Sequence, residues 1–204
     1  MLRYVIVLTV LMVTTASADT PAASLYCSER DVLSSVEGSG ELNLLEHFPA
    51  APDYSREYLA GLDPATGGTQ WQCLTEALYF EARGESVKGQ FAVAEVILNR
   101  VDSTKFPDTI CDVVKQGTRS GQKYACQFTY NCDGKKEVIN EPKAFERVGK
   151  VAYLMTRGAL RKLTDGATYY HTNAVRPSWA GKFTLTATIG VHHFYRPSTR
   201  VSQN

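Results

Sequence analysis

Apolar residues recur at helical spacing through the middle of the chain. Cys73, Leu74, Ala77, Leu78 and Phe80 predict a helix from Trp71 to Ala82, with Gly84 as its stop. Ser86 caps a second helix, in which Phe91, Val93, Ala94, Val96, Ile97, Leu98 and Val101 are too densely apolar for one face, so this helix is central and mostly buried. Phe106-Pro107-Asp108 breaks the chain. Ile110, Val113 and Val114 mark a short third helix over 109–116, and the polar stretch 117–124 reads as a loop. Pro142, suited to a first helical turn, opens a fourth helix whose stripe of Ala144, Phe145, Val148, Val151, Ala152, Leu154 and Met155 ends near Gly158.

Beyond this point the period shortens to two. Residues 167–171 are β-prone, and 184–188 with 191–195 alternate about Ile189-Gly190 as a hairpin does. Helices followed by a small antiparallel sheet make an α+β domain of about 130 residues, within the usual single-domain range. Before Trp71 the sequence is rich in Ser, Pro, Ala and Gly, and only 42–48 suggests a short helix. The turn formers of GLDPATGGT, 61–69, mark the boundary. The expected organisation is a signal peptide over 1–18, a leader or linker over 19–70, the domain over 71–196 and a tail over 197–204.

The first eighteen residues carry an address. Arg3 precedes the apolar run Val5–Val13, and Ala16-Ser17-Ala18 supplies the small residues of a signal-peptidase site, so cleavage is expected after Ala18. The apolar run is far shorter than the roughly 20 residues that span a bilayer. An exported protein, periplasmic or extracellular, follows. The whole chain holds 22 Lys and Arg against 21 Asp and Glu, and losing Arg3 makes it neutral. This lack of basic excess argues against nucleic acid and anionic membrane surfaces as partners.

Export changes the meaning of the five cysteines, which include no C-x-x-C pair. Cys73, Cys111, Cys126 and Cys132 are disulfide candidates in an oxidising compartment. Cys126 and Cys132 flank a segment short enough to be stapled, and Cys73 and Cys111 are placed to tie two helices. The sequence leaves the pairing open, with Cys27 as the spare. A metal site using Cys with His192 and His193 and a nucleophilic cysteine are the alternatives. No metal or cofactor is expected.

Candidate chemistry gathers at Phe80-Glu81-Ala82-Arg83-Gly84-Glu85. Helical spacing puts Glu81 and Glu85 on one side of the first helix's end, and Gly84 lets the backbone turn close to a ligand. Tyr79 and Phe80 can shield Glu81 and raise its pKa, the requirement for a general acid, while Arg83 holds Glu85 ionised. An ordinary solvated helix end can also show E-x-x-x-E.

The longer segment CLTEALYFEARGESVKGQFAVAEVILNRV, followed by FPDTICDVV, CQFTYNCDG, ATYYHTNAVRPSW and IGVHHFYR, resembles the SleB/CwlJ-type cell wall hydrolase family, relatives of spore cortex-lytic enzymes, from about Trp71 to Arg196. The resemblance implies a mostly helical fold similar to lysozyme and lytic transglycosylase catalytic domains, peptidoglycan glycan strands as substrate, and Glu81 as the catalytic acid. It also implies an enzyme of the exported, non-spore type, and a monomer is expected. The lytic route needs one carboxylate, because the sugar's own 6-hydroxyl is the nucleophile. Hydrolysis needs a second, for which Glu85, Asp102 and Asp133 are candidates.

Gln127, Phe128, Tyr170, His171 and Trp179 are the expected lining of a sugar groove, through aromatic stacking and hydrogen bonds to hydroxyls. Phe128 and Tyr169 are equally candidates for the core. Gln90, Asn99 and Arg100 are placed to tie the central helix to loops, and His192 and His193 face opposite sides of a strand. Two rival functions remain: a cell wall cysteine amidase or peptidase using Cys73 and His171, and a catalytically silent peptidoglycan-binding protein.

Overall fold

The structure is a computed structural model that describes residues 52–121 and 125–198. The expected signal peptide, the short helix at 42–48, Cys27 and residues 199–204 of the tail lie outside the described residues. The element order is α1 (Arg56–Gly61), α2 (Thr69–Ala82), α3 (Val87–Val101), α4 (Ile110–Val114), α5 (Pro142–Thr156), β1 (Tyr169–Thr172), β2 (Phe183–Ile189) and β3 (His192–Pro197), with short 3-10 turns at Thr118–Ser120 and Thr129–Cys132. The helices-then-sheet architecture is the expected α+β one.

Local chemistry explains the boundaries. The Ser86 hydroxyl accepts from the Gly89 N–H and Thr109 from the Asp112 N–H, two N-caps worth about 1 kcal/mol each. Pro142 occupies the first turn of α5, and Gly158, at φ +91°, follows its end. Helix α3 is the centre, with Val87, Phe91, Ala92, Val93, Ala94, Val96 and Ile97 all buried. Three polar side chains on it are buried as well. Gln90 Nε2 donates to the carbonyls of Arg83 and Glu85, Glu95 accepts from the Leu163 and Thr164 N–H groups and the Thr164 hydroxyl, and Arg100 Nε donates to Thr168 O at 2.7 Å. A buried polar group is costly without partners, so these bonds fix the loops around α3. Asn99 adds a bond to Ala167 O at 3.0 Å.

The sheet has strand order β1-β3-β2, antiparallel throughout, with an irregularity between Leu185 and Ala187. Tyr170 lies opposite Phe194, and His171 opposite His193. Successive strand residues face opposite sides. Tyr170, His192 and Phe194 therefore share the inner face, where His192 and Phe194 are buried, and Tyr169, His171, His193 and Tyr195 share the outer one.

The start of the domain requires a correction. Residues expected in the linker pack into the core: Leu59 of α1 is 1% exposed, Tyr54 meets Phe91 edge-on at 5.1 Å, and Lys150 Nζ of α5 donates to the carbonyls of Leu59 and Leu62. Helix α1 has few residues and one buried apolar position, so its sequence carries no periodic signal, and only packing reveals it. Helix α2 also starts before Trp71, whose indole N–H donates to Gly149 O at 2.8 Å and ties α2 to α5.

The sulfurs of Cys73 and Cys111 lie at bonding distance, as do those of Cys126 and Cys132, with Cα separations of 5.3 and 6.0 Å. The first pair joins α2 to α4. Because Cys73 is buried and its sulfur faces Cys111, it is not placed as the nucleophile of an amidase. The bonding partners of His171, the proposed base of that alternative, are Thr172 and Tyr195.

Candidate active site

Glu81 occupies the last turn of α2, where the chain bends through Arg83 and the Glu85 N–H donates to Ala82 O at 2.9 Å. The bend is held from behind: Gln90 bonds the Arg83 and Glu85 carbonyls, and Arg147 Nη2 donates to Arg83 O at 3.1 Å. Gly84 is not what permits it. That residue has no left-handed φ, and a Cβ there would meet open space.

Strand β1 brings Tyr170 to the acid, with its hydroxyl donating to Glu81 Oε2 at 3.2 Å. Burial raises the Glu81 pKa above the ordinary carboxyl value, while the Tyr170 hydrogen bond and the positive charge of Arg100 pull it down. Burial likewise holds the Tyr170 phenol well above its usual range, so it remains a neutral donor. Arg100, also lowered by burial, lies over the rings of Phe106 and Phe128 at 5.5 and 5.6 Å.

The apolar shield differs from the expected one. Phe80 stacks on Tyr130 with centroids 4.5 Å apart, but Tyr79 turns away, and its hydroxyl accepts from the Asn140 and Glu141 N–H groups. Tyr130 lies in the segment between Cys126 and Cys132, and its phenol is raised by burial, with Glu81 among the charges that add to the shift. The sequence reading missed Tyr130. The short cysteine-flanked segment was its available signal, but a single Tyr beside Phe128 gives no hint of which one turns toward α2.

Glu85 has a different environment. Arg83 does not hold it, because the Arg83 guanidinium pairs with Glu141 at 2.7 Å. Instead Glu85 Oε1 lies 3.7 Å from Nδ1 of His192, a buried ring whose pKa burial lowers despite the nearby carboxylate. On its other side the carboxylate abuts Gly190, where a Cβ would collide with it. Glu81 touches Tyr170, Tyr170 meets His192 edge-on at 5.2 Å, and His192 faces Glu85. The two carboxylates are thus linked along the inner face of the sheet.

The expected groove residues divide. Phe128 is 2% exposed and supports Arg100, so it is core and not lining. Tyr170 is at the acid. His171, its neighbour in β1, faces the other side of the sheet, stacked on Tyr195 at 5.2 Å and 19°. Trp179 is there too, 5.6 Å from His171 and 5.4 Å from Tyr195. Gln127 is exposed, its N–H donating to Gln116 O. Asp102 forms an ion pair with Arg161 beyond the end of α3, beside a hollow of about 560 Å³ that Glu81 does not line. Asp133 accepts from the Lys135 N–H.

Known proteins place this geometry in context. A spore cortex-lytic enzyme of Bacillus cereus is 38% identical over 128 residues, covering 60% of this chain and 42% of its own length. One from Halalkalibacterium halodurans is 54% identical over 124 residues, covering 60% and 33%. The chain thus spans less than half the length of these curated relatives. Among solved structures, the catalytic domain of the germination-specific lytic transglycosylase SleB from Bacillus anthracis aligns at 29% identity with a TM-score of 0.49, covering 66% of this chain and all of that one. The sequence matches the Cell Wall Hydrolase family over residues 84–195, more than half of its length. The chain belongs to the Cell Wall Hydrolase family.

Proposed function

We propose that this protein cleaves peptidoglycan glycan strands at the MurNAc–GlcNAc glycosidic bond, with Glu81 as general acid and then base. The observation that carries the reading is a carboxyl raised by burial and bonded on one oxygen by the neutral Tyr170 phenol. The second oxygen is left for the catalytic proton. Its relatives among the spore cortex-lytic enzymes support the substrate class.

Glu81 protonates the leaving oxygen, an oxocarbenium-like state forms at the MurNAc anomeric carbon, and the carboxylate then removes the proton from the same sugar's 6-hydroxyl. The product is a 1,6-anhydro end. This lytic route is favoured over hydrolysis because a carboxylate that activates water needs space for that water, and Glu85 is packed between His192 and Gly190. Gln127 is retained as a sugar-binding residue.

The protein acts as an exported monomer, periplasmic or extracellular, and no helix among the described residues is long and apolar enough to cross a membrane. Oxidation in that compartment closes the Cys73–Cys111 and Cys126–Cys132 bridges.

Digestion of purified sacculi tests the reading. Glu81→Gln is expected to slow release of soluble muropeptides by about 10²–10⁴-fold, and the wild-type products should be lighter than hydrolysed ends by one water. Lysis by Glu81→Gln at the wild-type rate would remove Glu81 from the mechanism.

A further inference from the structure

The site described uses the inner face of the sheet, but the outer face is also shaped. His171, Asn173, Arg176, His193 and Tyr195 border a hollow of about 290 Å³, near the lower bound of small-molecule sites at ~300 Å³ and sized for one ring.

Its walls combine two chemistries. The first is aromatic. His171 and Tyr195 line it and are stacked, Trp179 braces both rings edge-on without lining the hollow, and Val175 remains 55% exposed on the rim. The polar edges of His171 are already satisfied, Nδ1 by Thr172 O at 2.8 Å and Nε2 by the Tyr195 hydroxyl at 3.0 Å. This locks the ring as a wall. The second chemistry is cationic. Arg176 is exposed and, unlike Arg83, Arg161 and Arg196, has no carboxylate partner among the described residues. No Asp or Glu lines the hollow. A guanidinium beside a ring-sized aromatic recess suits a ligand with one apolar ring face and one carboxylate, since Arg reads carboxylates with a two-pronged fork.

We propose that this hollow is a second, non-catalytic binding site for a carboxylate-bearing N-acetylated amino sugar of the wall, a muramic-acid unit of a peptide-free strand, whose lactyl carboxylate is not tied up in an amide, other than the strand being cut. The choice of a wall sugar rests on the proposed function. The carboxylate pairs with Arg176 and the pyranose packs on the recess formed by His171 and Tyr195. The protein would then hold one strand while Glu81 acts on another.

Calorimetric titration of the Glu81→Gln chain with N-acetylmuramic acid and with N-acetylglucosamine, which lacks the carboxylate, tests this. The acid is expected to bind more tightly, and Arg176→Ala in the same chain to weaken it about 10-fold, with Arg176→Glu abolishing it and neither variant changing N-acetylglucosamine binding. Arg176 is exposed and has no carboxylate partner among the described residues, so these changes leave the fold intact. Equal binding of the acid by the parent and Arg176→Ala chains overturns the proposal, as does equal loss of both sugars. The titration does not depend on catalysis, so sacculus lysis that persists in Glu81→Gln would defeat the proposed function while leaving this result readable.

Discussion

The Tyr170 hydroxyl and Glu81 Oε2 lie 3.2 Å apart, joining the last turn of α2 to the first strand across 89 positions of sequence. Burial raises the carboxyl's pKa, and this hydrogen bond, by favouring the ionised form, opposes the rise. A general acid works only while protonated, so activity should fall as pH rises through the Glu81 pKa, at a higher pH than for an exposed carboxyl. Tyr170→Phe removes an opposing influence and should move this alkaline limb upward. A pH profile of muropeptide release from both proteins measures the shift, and movement in the opposite direction would contradict the assignment.

The same raised pKa carries a stability cost. In the folded state Glu81 holds its proton to a higher pH than in the unfolded chain, where a glutamate titrates near ~4.3. Its contribution is therefore fully present below that value and is lost as pH rises through the folded pKa. Glu81→Gln should match the wild type in acid and become the more stable protein at neutral pH. Denaturant unfolding at the two pH values compares them, and a difference that shrinks as pH rises would reverse the sign.

A side chain at Gly190 should be strained. Its φ is +60°, which costs a residue with a Cβ about 1–2 kcal/mol, and the Cβ would strike the Glu85 carboxylate. Gly190→Ala is expected to lose more than the backbone cost alone. In a Glu85→Ala background the penalty should drop toward it, and a double-mutant cycle on unfolding free energies isolates the difference. Strict additivity would mean that Glu85 does not pack there.

Lys150 tests where the domain begins. Its ammonium bonds the carbonyls of Leu59 and Leu62, and hydrogen bonds to charged groups contribute ~1.5–3 kcal/mol. Lys150→Met should destabilise the protein by roughly that amount. It should also raise amide exchange in α1 ahead of the rest of the domain. Unchanged exchange in α1 would show that the contact does not hold it.

The two cysteine pairs should differ in effect. Sequence separations of 38 and 6 give chain-entropy contributions of about 4 and about 2 kcal/mol. Replacing Cys73 and Cys111 by Ser should therefore lower the denaturation midpoint more than replacing Cys126 and Cys132. The reverse order would point to a native-state role for the shorter staple.

The sequence was most informative where many positions carried the same message. The apolar density of α3, the cap at Ser86, Pro142 at the start of α5 and the alternation around Gly190 each report local preferences, and the elements formed within a few residues of expectation. The glutamate block was also legible, because its residues are contiguous.

The chain alone determined the α+β order of elements, the candidate acid and the four cysteines able to pair. Tertiary structure decided what those residues touch. Arg83 pairs with Glu141 and not Glu85, Phe128 lies under Arg100, and adjacent Tyr170 and His171 serve opposite faces of one sheet. It also drew α1 into the domain, through one leucine and a lysine 91 positions away. Periodicity encodes which side of an element is apolar, whereas partners distant in sequence meet only when burial and hydrogen bonding are satisfied for the whole chain at once.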